Sequence, residues 1–169
     1  SAFKEDLTTR ATGSNMGASD ILEVFSIYGQ ASSASSELSR VLVEFDTTAI
    51  AAERTAGTIP ASGSVNFHLR MYDAEHVEST PRDFTLTVAA ISQSWNEGTG
   101  LDMNNYTDLG ESNWIKANST TSWTHQGGDF LTGSGNTPLM HTSQSFEGGT
   151  EDMSVDVTTI VEEWLIGNT

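Results

Sequence analysis

The sequence predicts an all-β protein, an antiparallel β-sandwich with one short helix near its C-terminal end. Three observations predict it. Hydrophobic residues make up 36% of the 169-residue chain and charged ones 18%, so Ser, Thr, Gly and Asn hold the balance, as in strands joined by polar loops. Strand-like runs recur between turn signals. Residues 64–72 alternate strictly, with Val65, Phe67, Leu69 and Met71 pointing inward and Asn66, His68, Arg70 and Tyr72 outward. Period-two alternation of this kind marks an antiparallel sheet with one wet face. The length suits a single domain over residues 1–169, able to bury about two-thirds of its unfolded surface.

Taken in order, residues 12–19 form a turn-rich loop, and residues 21–29 read as a strand closed by Gly29. Residues 31–36 are small and polar, an exposed connection. Residues 40–45 place Val41, Val43 and Phe45 on one face and Arg40 and Glu44 on the other, with Leu42 breaking the alternation. That strand is expected to be covered on part of both faces. A short helical or irregular piece follows at residues 48–54, then a turn at 58–63. Residues 83–91 form another strand, with Phe84, Leu86, Val88 and Ala90 on one side.

Residues 98–118 make a long polar loop containing Trp114 and Ile115, and loops of this length are functional or packed on themselves. A Gly-rich segment follows at 127–136 and a turn at 146–149. Residues 153–157 are strand-like and lead into the helix. Asp156 can cap it, or Thr158 one step later. Val157, Ile160, Val161 and Trp164 form one helical stripe, Glu162 and Glu163 face solvent, and Gly167 can end the helix. The sum is about eight strands and one late helix in a single sandwich.

Charge narrows the partners. Seven basic residues stand against twenty-three acidic ones, a net charge of −16. Such a surface repels phosphate backbones and anionic lipid, so neither nucleic acid nor membrane is expected as a partner. There is no cysteine, so neither disulfides nor thiolate metal sites exist. No apolar run approaches the length that crosses a bilayer.

Catalytic signatures are absent from the sequence. His68, His76, His125 and His141 lack metal-ligand spacing, no G-x-S-x-G elbow occurs, and Gly127-Gly128 has neither the strand nor the Lys of a phosphate loop. Glu97, Asp102, Glu151, Asp152, Glu162 and Glu163 could supply a carboxylate pair for glycoside hydrolysis, a condition that many acidic proteins meet. The expectation is a protein that is not an enzyme.

Two binding constellations remain. Glu97, Asp102, Asn104, Asn105 and Asp108 crowd one Gly-containing loop, and Ca²⁺ takes six to eight oxygens from such segments. Glu97, Asp102 and Asp108 are the candidate metal ligands; the competing reading has these side chains closing Asx-turns. Tyr106, Trp114 and Trp123 lie in polar loops and are the candidates for stacking on sugar rings. Trp95 ends a strand and Trp164 a helical stripe, so both are expected in the core. Asn105-Tyr106-Thr107 and Asn118-Ser119-Thr120 match the glycosylation pattern, which matters only in a eukaryotic secretory host.

Four blocks in order carry a resemblance. They are Ser39-Arg40-Val41-Leu42-Val43-Glu44-Phe45-Asp46, Ser94-Trp95-Asn96-Glu97-Gly98-Thr99-Gly100, Ser122-Trp123-Thr124-His125-Gln126-Gly127-Gly128-Asp129-Phe130, and Asp156-Val157-Thr158-Thr159-Ile160-Val161-Glu162-Glu163-Trp164. Their order resembles the DNRLRE family over residues 12–167. The resemblance implies a jelly-roll β-sandwich, a non-catalytic module of secreted, cell-surface and phage virion proteins. Residues 19–40 are also similar to structural proteins of tailed phages. The implied setting is a virion or extracellular appendage, with protein partners, a homo-oligomer, and polysaccharide as the alternative ligand. Family members continue past the helix with another core strand, whereas this sequence stops at Asn168-Thr169. Either the sequence is truncated or another chain supplies that strand.

Overall fold

The computed structural model describes residues 8–29, 32–75, 80–101, 111–133, 135 and 138–167. The chain divides into two compact units, each built from two separated segments: Ser1–Val43 with Gln93–Asp129, and Glu44–Ser92 with Phe130–Thr169. Among the described residues, the first unit holds one short strand pair and the second holds four strands and both helices. The fold is all-β, with strands in antiparallel pairs and two short helices among the described residues.

In the first unit, β1 (Ser26–Tyr28) pairs antiparallel with β2 (Ser36–Leu38), Ile27 opposite Glu37. Ser39 prolongs the ribbon: its N–H donates to the Phe25 carbonyl at 3.0 Å, and its hydroxyl accepts from Phe25 N–H at 2.7 Å. The strand expected over residues 21–29 is therefore only three residues long, and residues 21–25 are held in part by one serine. The strand expected over residues 40–45 does not form. No strand among the described residues offers them a ladder, and Val43 and Phe45 of the expected inner face are exposed.

The second unit holds the regular core. β3 (His68–Met71) pairs with β6 (Met153–Asp156), and β4 (Phe84–Ala89) with β5 (His141–Phe146). The inner faces of the two ribbons share one cluster. Phe146, Met153 and Val155 are buried in it, with Leu69, Met71, Phe84, Leu86 and Val88 packed against them. Phe84 and Phe146, opposite each other in register, stack with ring centroids 4.9 Å apart. Period-two patterning placed Leu69, Met71, Phe84, Leu86 and Val88 on their inner faces correctly, because a buried face fixes register.

One side chain seals the seam between the ribbons. Gln144, opposite Leu86, donates its amide to the Asp152 carbonyl at 2.9 Å and accepts from Ser154 N–H at 2.8 Å. Its amide thus satisfies backbone groups in and just before β6.

Helix α1 (Thr48–Thr55) buries no residue. It is tied to α2 (Thr158–Leu165) by a two-pronged ion pair, Arg54 Nη1 to Glu162 Oε2 at 2.6 Å and Nη2 to Oε1 at 2.9 Å. The guanidinium also lies over the Phe67 ring, 5.9 Å from its centroid. Glu162 is therefore shielded and paired, a correction to the solvent-facing position expected of it. In α2, Ile160 and Val161 are buried, and Val157 and Trp164 pack on the cluster of Ala90, Met140 and Ile160, as the stripe requires. Asp156 accepts the Thr158 N–H at 2.8 Å from one residue before the N-cap position, which Val157 occupies. Gly167, at φ 78°, ends the helix.

Six strands form among the described residues where about eight were expected; beside the late helix, the helical or irregular piece expected at residues 48–54 is the helix α1.

Candidate functional site

The loop-rich unit gathers most of the sequence candidates that the structure describes. The Trp95-Asn96-Glu97-Gly98 stretch runs beside residues 14–18, with Ala18 N–H donating to the Gly100 carbonyl at 3.0 Å. Gly98 is buried, and a Cβ there would collide with the Asn15 side chain, while one on Gly17 would collide with the Gly98 backbone. Asn15 is fixed on both sides, donating to the Ser112 carbonyl at 2.7 Å and accepting from Gly17 N–H at 2.7 Å. The glycine of this block is thus required by a close backbone approach.

Trp114 is half-buried. Arg40 lies over its ring, 5.2 Å from the centroid, and donates to the Gly127 carbonyl at 2.9 Å. Gly127 N–H in turn donates to the Trp114 carbonyl at 2.7 Å. Trp123 is only 6% exposed, and its indole N–H donates to the Asn113 carbonyl at 2.8 Å. It has no open face for a sugar ring, because burying the indole satisfies both its apolar body and its polar edge. That corrects its expected role as a stacking platform.

A cavity of about 190 Å³ brings Trp95, Glu97, Trp114 and Trp123 to one place, with Arg40 and Asn15 beside them. It is smaller than the roughly 300–1,000 Å³ usual for small-molecule pockets. Glu97 is exposed. Tyr106, Asp102 and Asp108, with Asn104 and Asn105, lie outside the described residues.

The polar side chains of the long loop close turns. Asn113 Oδ1 accepts from the N–H groups of Ile115 and Lys116, both at 2.9 Å, and Asn118 Oδ1 from those of Thr120 and Thr121, both at 3.0 Å. Asp129, itself buried, accepts from Thr124 N–H at 2.9 Å and His125 N–H at 2.7 Å, and holds the exposed His125 ring at 3.2 Å. These bonds, that from Thr124 foremost, hold the Asp129 carboxyl below its ordinary pKa.

In the other unit, Glu151 accepts from four successive N–H groups, those of Glu147, Gly148, Gly149 and Thr150, at 2.6–3.0 Å. The bonds lower its pKa to about 2, the Gly148 N–H contributing most. Glu162 is held low by Arg54. Both carboxylates are thus engaged in bonds that hold backbone or a partner helix. No group of three or more His, Cys, Asp or Glu among the described residues is placed to hold a metal ion.

The signal for these turn-closing roles was present in the sequence as Asx-turn chemistry. Arg40 carried no such signal, since its partners lie 74 and 87 positions away. Comparison with family models, curated proteins and solved structures finds no match for this chain.

Proposed function

We propose that the chain is a non-catalytic module of a virion or extracellular appendage, a DNRLRE-type jelly-roll domain that assembles with further copies of itself. The supporting observation is the apolar surface around β1. Ile21, Leu22 and Val24 are each about half exposed and Tyr28 is 72% exposed, with Ile27 between them. These residues lie on both faces of an extended segment whose strand has a single partner among the described residues. An apolar strand with an unpaired edge is a template for pairing with another chain. The net charge of −16 opposes random contact between copies, so association is favoured where apolar surface can offset it.

Size-exclusion chromatography with light scattering tests this reading. The intact chain is expected to run as a defined multimer, and Ile27→Lys is expected to shift it to monomer with an unchanged circular dichroism spectrum. A monomeric wild-type chain at all concentrations refutes it. The alternative, a polysaccharide-binding module stabilised by Ca²⁺, is favoured by one observation: Trp114 keeps part of its ring accessible beside Glu97 and Trp95 in one cavity. Glycan binding lost on Trp114→Ala, in a protein that remains folded, would support it.

A further inference from the structure

Hydrogen bonds fix which way the backbone of the β1 ribbon points. Gly29 N–H donates to the Ser35 carbonyl at 2.8 Å, and Ser39 N–H to the Phe25 carbonyl at 3.0 Å. The Ser39 hydroxyl donates to the Glu23 carbonyl at 2.7 Å. Residues 23, 25, 27 and 29 therefore turn their polar backbone groups toward β2, with Ile27 opposite Glu37. Successive residues of an antiparallel strand point these groups to opposite sides. Val24, Ser26 and Tyr28 thus direct N–H and C=O toward the other edge, which no strand among the described residues borders.

That edge is complementary to itself. Across a two-fold axis, antiparallel pairing sets outward-pointing residues opposite outward-pointing residues. With the axis at Ser26, Val24 meets Tyr28 of the second copy on one face. Phe25 meets Ile27 of the second copy on the other. Val24, Ile27 and Tyr28 are exposed, so both pairs remove apolar surface from water. Glu23 meets Gly29 of the second copy, so no like charges stand opposite each other within residues 23–29, although each chain carries −16. An axis at Phe25 would set Glu23 against Ile27, and one at Val24 would set Asp20 against Tyr28. An axis at Ile27 would leave Phe25 against Gly29. Apolar matching selects the register centred on Ser26.

We propose that two copies pair their β1 edges antiparallel about a two-fold axis at Ser26, merging their two-stranded ribbons into one sheet. This register rests on self-assembly through β1, and its isologous contact closes at a dimer.

The experiment uses the intact chain, which has no cysteine, so one introduced thiol reports alone. Ser26→Cys sets two thiols opposite each other across the axis, with Cα atoms about 5.5 Å apart, within disulfide range. Ser36→Cys, on β2, keeps its thiols about three strand spacings apart, roughly 14 Å. Under mild oxidation, non-reducing electrophoresis is expected to show most of Ser26→Cys as covalent dimer and Ser36→Cys as monomer. Ser26→Pro removes an outward N–H that β2 does not use, as edge strands tolerate, and is expected to run as a monomer in light scattering with an unchanged circular dichroism spectrum. A monomeric wild-type chain removes self-assembly and this register together. A multimeric wild type whose Ser26→Cys crosslinks no more than Ser36→Cys, or whose folded Ser26→Pro stays multimeric, overturns the register alone. If Ser26→Pro does not fold, the two cysteine variants decide.

Discussion

At the scale of single residues, this chain spends its polar side chains on holding backbone. Glu151 is the clearest case, with four N–H groups converging on one carboxylate. Its folded pKa of about 2 lies below the ordinary 4.5, so its stabilising effect is complete above about pH 4.5 and is lost as pH falls toward 2. Glu151→Gln is therefore expected to lower the melting temperature at pH 7, with a difference from wild type that shrinks toward pH 2; calorimetry over that range measures it. Gly98 is fixed by sterics. Gly98→Ala is expected to cost about 1–3 kcal/mol in urea denaturation, as overpacking does, and less than additively in an Asn15→Ala background, since the collision is with that side chain. Trp123 is a core residue, and Trp123→Ala is expected to cost about 3–5 kcal/mol in the same assay. The Asx-turn residues were legible from the sequence because their partners are local. Arg40 was not, because its ring and carbonyl partners are distant in the chain.

At the scale of elements, legibility followed burial. Residues 84–89 and 153–156 formed as their patterns required, each with one face against apolar neighbours. Residues 40–45 alternate except at Leu42 and formed no strand, since a strand exists only where another edge accepts its ladder. The helix α2 was readable from its stripe, whereas α1 was ambiguous because it has no buried side. What holds α1 is Arg54, whose partner on α2 is 108 positions away. Arg54→Leu is expected to loosen α1 selectively: faster amide hydrogen exchange at Ala52–Gly57 than in wild type, with the β4–β5 amides unchanged. Uniform acceleration across both would show instead that α1 and the ribbons open together.

At the scale of the whole molecule, acidity and the apolar β1 segment act against each other. Added salt screens repulsion between copies and strengthens apolar contact, so the proposed multimer is expected to grow more stable as sodium chloride rises from low concentration, read by sedimentation velocity. A multimer that dissociates with salt would point to ion pairs as its basis and away from β1. The sequence by itself determined the class: an acidic, cysteine-free all-β chain with a late amphipathic helix and no catalytic motif. Those features follow from composition and from short-range periodicity, which any local stretch displays. Only the tertiary structure decided which alternating runs became strands, that Trp123 is enclosed while Trp114 lies under Arg40, and that Arg54 meets Glu162. Each of these depends on partners far away in the chain, and burial is a property of the packed whole that no local pattern encodes.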